Sequence, residues 1–164
     1  MNKIISNIPT GALIMKQIKH ILIPLDKSEL SEKALETAFS IAKGVNAEVT
    51  LITVLTPLNE ILKITDSNAA FIKEQSEIRE KRNIEYLASI QEQYKNTAIK
   101  INTVIKTGEP AEKIIEYADN NSIDIIVMST HGFSGVRQWV YGSVSAKILN
   151  GARHSVLLVR SFEE

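Results

Sequence analysis

The residues with the most chemical promise are Ser129-Thr130-His131-Gly132, followed after nine intervening residues by Gly142-Ser143. They come after an apolar, strand-like run, Ile123 to Met128, and lead into a helix-like segment, Val144 to Leu149. A small-residue loop between a strand and a helix suits phosphate. Glycine lets the backbone approach the anion, successive N–H groups point inward, and the N-terminus of the following helix adds positive potential. Taken alone, Gly142-Ser143 reads as a helix cap.

Other reactive side chains lack the company that chemistry requires. His131 has no Cys, His or acid at metal-ligand spacing, so it reads as a loop-bracing residue. Ser129, Thr130 and Ser134 do not sit in a G-x-S-x-G elbow and read as partners for the backbone. Trp139 and Tyr141 read as packing residues, and His20 and His154, near strand starts, as structural. Asp26 is open to two readings: a turn residue accepting backbone N–H bonds, or a ligand contact at the end of a strand. There is no G-x-x-x-x-G-K-[ST], so the chain is not a P-loop ATPase. The stretch Asp26-Lys27-Ser28-Glu29-Leu30 contains no glycine and cannot be a dinucleotide fingerprint. No general base is evident, so no catalytic and no metal-ligating residue is assigned.

The elements that position these residues follow from periodicity. Ile18 to Leu25, Val49 to Leu55, Ile123 to Met128 and Ser155 to Val159 read as buried strands. Ile99, Ile101, Thr103 and Ile105 alternate with exposed partners, which suits the edge of a sheet. Ala34, Ala38, Ile41 and Ala42 form a helical stripe, with Ser28 as N-cap and Gly44 as stop. Phe71 to Tyr94 reads as a long helix with Ile84, Leu87 and Ala88 inward, and Pro57 to Ala70 as a short helix or lid. Gly108-Glu109-Pro110 turns into a helix carrying Ala111, Ile114, Ile115 and Ala118 on one face. Gly142 to Asn150 is the last helix, with Gly151 as its stop. Strands alternating with helices predict a doubly wound α/β fold, with five mostly parallel strands in the order 3-2-1-4-5 and helices on both faces. The topological switch then lies between strands one and four, where ligands bind, and Asp26 and Ser129 face one crevice.

The 164 residues suit one domain with a sizeable core. Lys plus Arg balances Asp plus Glu at 19 each, which gives no basis for a nucleic-acid partner. The absence of cysteine removes disulfides and thiol chemistry and fits a reducing compartment. Residues 1–16 read as a flexible extension and 17–161 as a single domain, with Met15 a natural start. The apolar run Ile4 to Met15 is too short for a membrane span and lacks a cleavage site.

Over residues 17–160 the chain resembles the universal stress protein family, in particular its ATP-binding branch. The resemblance rests on Ile23-Pro24-Leu25-Asp26-Lys27-Ser28-Glu29, Gly108-Glu109-Pro110-Ala111-Glu112, Asp124 through Gly132, Gly142-Ser143-Val144 and His154 through Val159. The family's nucleotide motif is Gly, two residues, Gly, nine residues, Gly, then Ser or Thr. Gly132, Gly142 and Ser143 match it, and Ser129 stands where the first glycine would be. A side chain there narrows the pocket wall and disfavours positive φ. Phe133 stands where many members carry a basic residue, and Arg137 lies within the same loop.

The resemblance implies a set of roles. Asp26 sits at the ribose or adenine, backbone groups of Val54 meet the adenine, and Met128 packs near the base or ribose. Ser129 lines the pocket, backbone N–H groups of Gly132, Gly142, Ser143 and Val144 hold phosphates, and the Ser143 hydroxyl adds a donor. Against the spacing of Gly132, Gly142-Ser143 reads as a phosphate site rather than a cap. The implied cofactor is ATP, with or without Mg2+ or Mn2+. The implied partner is a second copy, joined through the last strands at Val156, Leu157, Leu158 and Val159, with no nucleic acid and no membrane. The function expected is that of a cytoplasmic, nucleotide-dependent stress-response or signalling dimer and not an enzyme. The alternatives are a nucleotide-free dimerisation module and a slow ATPase.

Overall fold

A computed structural model of the chain describes residues 17–62, 69–130 and 142–160. Residues 1–16 and the 131–141 segment, which includes His131, Gly132, Phe133, Ser134, Arg137, Trp139 and Tyr141, lie outside the described residues.

The described chain runs β1 (His20–Pro24), α1 (Glu29–Val45), β2 (Glu48–Leu55), α2 (Leu58–Leu62), α3 (Ala69–Tyr94), β3 (Ile101–Thr107), α4 (Pro110–Asn120), β4 (Ile125–Ser129), α5 (Ser143–Gly151) and β5 (Ser155–Val159). The five strands form one sheet in the order β3-β2-β1-β4-β5, and every neighbouring pair is parallel. This is the order expected from the sequence.

A parallel sheet is covered on both faces, so its central strands are apolar without alternation. Ile21, Leu22 and Ile23 of β1 are fully buried. Ile21, Ile23, Val49, Leu51 and Val127 pack on one face against Ala34, Ala38, Phe39 and Ala42 of α1 and Leu87 and Ile90 of α3. Leu22, Ile52, Ile126 and Met128 pack on the other against Ala111, Ile114 and Ala118 of α4 and Ile148 of α5. Truncating one of these large core side chains to alanine costs about 2–5 kcal/mol.

The strands differ in how long they stay together. β2 and β3 share seven paired positions, Val49↔Ile101 to Leu55↔Thr107. β1 and β4 share two, Ile21↔Ile125 and Leu22↔Ile126. At their N-terminal ends these two strands are held by Asp124, whose Oδ2 accepts from the N–H groups of Lys19 (2.8 Å) and His20 (3.1 Å). Past Leu22↔Ile126 the paired rungs stop, and a cavity lies beyond, lined by Pro24 and Leu25 on one side and Met128 and Ser129 on the other.

Several local expectations need correction. Gly44 lies inside α1, and the helix is stopped by Asn46, held in the left-handed region at φ 56° with its N–H on Ala42 O. Asparagine tolerates that conformation. On α3, Ile84 is 55% exposed and Ala88 is exposed, while Asn83, Leu87 and Ile90 are buried. Asn83 can be buried because its amide donates to Arg79 O at 2.8 Å. β3 is at the edge as expected, but Thr103 is exposed and Val104 packs on the α4 side, so its alternation is imperfect. Gly151 is the last residue of α5 rather than its stop. Gly108 is required by geometry: φ is +141°, and a Cβ would come within 2.9 Å of Lys113 Cε.

Candidate functional site

The crevice holds a cavity of about 390 Å³ at the C-terminal ends of β1, β2 and β4. Its apolar floor includes Ile52, Val54, Ile114 and Met128, and its rim is formed by the first turns of three helices: Asp26 and Ser31 at α1, Pro110 at α4, and Gly142 to Ser145 at α5. Those first turns are built differently.

At α1, Ser28 is the N-cap and its Oγ accepts from Ser31 N at 3.0 Å. Asp26 supports this turn: its Oδ1 accepts from Ser28 N (3.0 Å) and from Ser28 Oγ (2.5 Å). Lys27 between them takes a left-handed φ of 69°. Asp26 shapes the turn with one oxygen, as the first reading expects, and it also lines the cavity. Tyr86 of α3 donates to Glu32 Oε1 at 2.8 Å and ties α3 to this turn. Burial, then the Glu32 carboxylate, pushes the Tyr86 phenol well above its usual range.

At α4, Glu109 is the N-cap and Pro110 occupies the first helical position. Glu109 Oε2 accepts from Glu112 N at 2.9 Å, and Oε1 accepts from Lys147 Nζ of α5 at 2.8 Å. Lys147, then the Glu112 N–H, holds the Glu109 carboxyl below the usual carboxylate range. The positive end of α4 already has its anion.

At α5 the N-cap is Gly142, which has no side chain to cap the helix, and no other described residue is seen to cap it. The first N–H groups of a helix have no intrahelical partner, and the residues that carry them here, Ser143, Val144 and Ser145, line the cavity. One expectation is amended here. Gly142 lines the cavity, but its N–H donates to Thr130 O at 2.9 Å and is not available to a phosphate. Its contribution is to leave the end of α5 bare.

Val54 offers main-chain groups by a different route. The last rung between β1 and β2 runs from Leu25 N to Ile52 O at 2.9 Å. Along a parallel strand, alternate residues turn both N–H and C=O to the same side. Val54 therefore presents its pair in the direction of β1, just past the point where that ladder ends.

The structure thus gathers Asp26, Val54, Met128, Ser129, Gly142, Ser143 and Val144 around one cavity, while Gly132 lies outside the described residues. Ser129 is an ordinary β4 residue, paired with Val159, and is not among the described residues with positive φ. Sequence reasoning missed Ser31, Thr56, Pro110 and Ser145 on the cavity wall and the Glu109–Lys147 pair that joins the start of α4 to α5. Glu109 carried a signal, an acidic residue directly before Pro110 at a helix start. Ser145 carried none. Among the described residues no group of three or more His, Asp or Glu side chains is placed to hold a metal ion, and no helix is long and apolar enough to cross a membrane.

Fold and site together define a doubly wound α/β protein with an uncapped helix end at its switch-point crevice. The model of the universal stress protein family matches residues 17–160, and the chain belongs to that family. It is 32% identical over 142 residues to the universal stress protein MJ0531 of Methanocaldococcus jannaschii, covering 87% of this chain and 82% of that protein. The solved structure of MJ0577, a universal stress protein of the same organism, superposes with a TM-score of 0.80 at 26% identity, covering 90% of this chain and 99% of the other. A universal stress protein family member from Arabidopsis thaliana, solved with AMP bound, shares the fold at a TM-score of 0.62 and 14% identity over 88% of this chain and 92% of that one.

Proposed function

We propose that this chain is an adenine-nucleotide-binding protein, with ATP as its ligand, and that it works by binding rather than by catalysis. One observation carries the reading. Of three helix N-termini on the cavity rim, those of α1 and α4 are capped by their own side chains and that of α5 is not. An uncapped N-terminus beside an apolar cavity calls for an external anion attached to an apolar body. A nucleotide has that form, and about 390 Å³ is within the rough 300–1,000 Å³ of small-molecule sites.

In this reading the base lies on Met128 and Ile52, with its edge on the main chain of Val54. The ribose meets Asp26, and phosphates meet the N–H groups of Ser143 and Val144 together with the Ser143 hydroxyl. The AMP-bound Arabidopsis protein supports a nucleotide in this fold, at an identity that carries the fold alone. β5 lies at the sheet edge, with Val156 to Val159 partly buried. A bare edge is a template for pairing, and a homodimer through β5 is part of the proposal. So is a stress-response or signalling role in the cytoplasm, in which a partner reads the occupied state.

Calorimetric titration with ATP, with and without Mg2+, tests the reading. Micromolar binding that requires the phosphates supports it. No binding at millimolar ATP refutes it and leaves a nucleotide-free dimerisation module. Turnover above roughly 1 per second, the low end of ordinary enzymes, would make the protein a catalyst.

A further inference from the structure

Ser145 is a polar residue where a helix facing a core would ordinarily place an apolar one. It is 3% exposed, in the first turn of α5. Its single hydroxyl proton is shared between two carbonyls, Gly142 O at 2.9 Å and Thr130 O at 3.1 Å. The bond to Gly142 O is local, and a serine in a first turn makes it readily. The bond to Thr130 O is not local, since the two residues are fifteen apart in the chain. Thr130 O also accepts the Gly142 N–H at 2.9 Å. Both donors come from the start of α5, and both end on one carbonyl just beyond β4. Thr130 is anchored in turn, because its N–H donates to Val159 O of β5 at 3.0 Å.

One bond to Thr130 O would fix a distance and leave the first turn of α5 free to rotate about it. Two bonds from residues three apart fix the direction in which the N–H groups of that turn point. We propose that Ser145 is a positioning residue: through the Thr130 carbonyl it aims the bare end of α5 at the phosphates of the nucleotide, without touching the base or ribose. This rests on the nucleotide reading above and adds the residue that orients its phosphate contacts.

The distinguishing measurement is a pair of titrations, ATP and adenosine, on the parent protein, Ser145→Ala and Ser145→Thr. Losing one buried hydrogen bond that holds the site in shape predicts about fivefold weaker ATP binding by Ser145→Ala. Adenosine binding is expected to be unchanged, and Ser145→Thr, which keeps the hydroxyl, is expected to restore ATP affinity. Should Ser145→Ala fail to fold, Ser145→Cys keeps the volume with a much weaker donor and takes its place. Equal losses for ATP and adenosine would make Ser145 a merely structural residue, and an unchanged ATP affinity would leave it without a role in the site; either overturns the proposal. If the parent protein itself takes up no ATP, the nucleotide reading fails first and this one with it, an outcome distinct from the other two.

Discussion

The N-termini of α4 and α5 border the same cavity, and their first turns are built in opposite ways. α4 supplies its own anion: Glu109 accepts from the Glu112 N–H, and Lys147 reaches across from α5 to hold the same carboxylate. α5 supplies none, because Gly142 has no side chain to fold back. Every α-helix begins with the same unpaired N–H groups, so the residue at the cap decides their use. A carboxylate there commits the end to the fold. Glycine leaves it to whatever anion arrives. Lys147 sharpens the contrast, since it belongs to α5 yet neutralises the cap of α4 and does not occupy the bare end of its own helix.

The most damaging way to break this asymmetry is to make α5 resemble α4. Gly142→Asp places a carboxylate at the α5 N-cap, and its φ of −55° and ψ of 154° accept a side chain. The thermal midpoint is expected to stay level or rise slightly, because Asp is a good N-cap. ATP affinity is expected to fall on the order of a hundredfold, the worth of one or two charge-assisted hydrogen bonds at 1.4 kcal/mol per decade. Retained affinity would mean that the phosphates do not use α5.

The reverse change, opening α4, has a smaller effect on a different property. Glu109→Gln is expected to cost at most about 1 kcal/mol in urea unfolding and to leave ATP affinity within about twofold, a shift of ~0.4 kcal/mol. The pH dependence follows from the depressed carboxyl of Glu109. A carboxylate whose folded value lies below its unfolded value contributes stability that is present above the unfolded value, about 4.3. That contribution is lost as pH falls through the folded value. The gap between parent and variant is therefore expected to be constant from about pH 5 to 8 and to close in acid. A gap that widened in acid would show that Glu109 is not the anion of α4.

An effect of similarly small size is expected at Ser129. Restoring glycine removes a buried side chain from β4, for about 0.5–1 kcal/mol of stability. ATP affinity is expected to move by less than about threefold, or ~0.6 kcal/mol. A large gain would show that the Ser129 hydroxymethyl obstructs the ligand.

How much of this was legible in the chain depends on whether the cause was local. The strand order followed from alternating periodicities and from one polar-faced strand that fits an edge. The switch-point crevice, with Asp26 on one side and Ser129 on the other, followed from that order. Non-local pairings left no such trace. Glu109 and Lys147 are 38 residues apart, and nothing in either neighbourhood announces the other. Gly44 carries the usual stop signal of α1, yet Asn46 takes the left-handed turn. Asn83 rather than Ile84 faces the core of α3, because packing against β2 and β3 sets the rotation of a helix whose own apolar stripe is weak. The spacing of Gly142 points to the cavity, but the use of its N–H depends on where Thr130 O lies.

The short pairing of β1 with β4 has a mechanical consequence. The sheet is two leaves, β3-β2-β1 and β4-β5, sewn together at one end by two rungs and the Asp124 carboxylate. Toward the other end the stitching stops. The proposed nucleotide, meeting Val54 on one leaf and the start of α5, hydrogen-bonded just beyond β4, on the other, would be a cross-tie over the unpaired part of the seam. The unfolding free energy it would add, RT ln(1 + [L]/Kd), would act across the part of the sheet where no backbone rung joins β1 to β4.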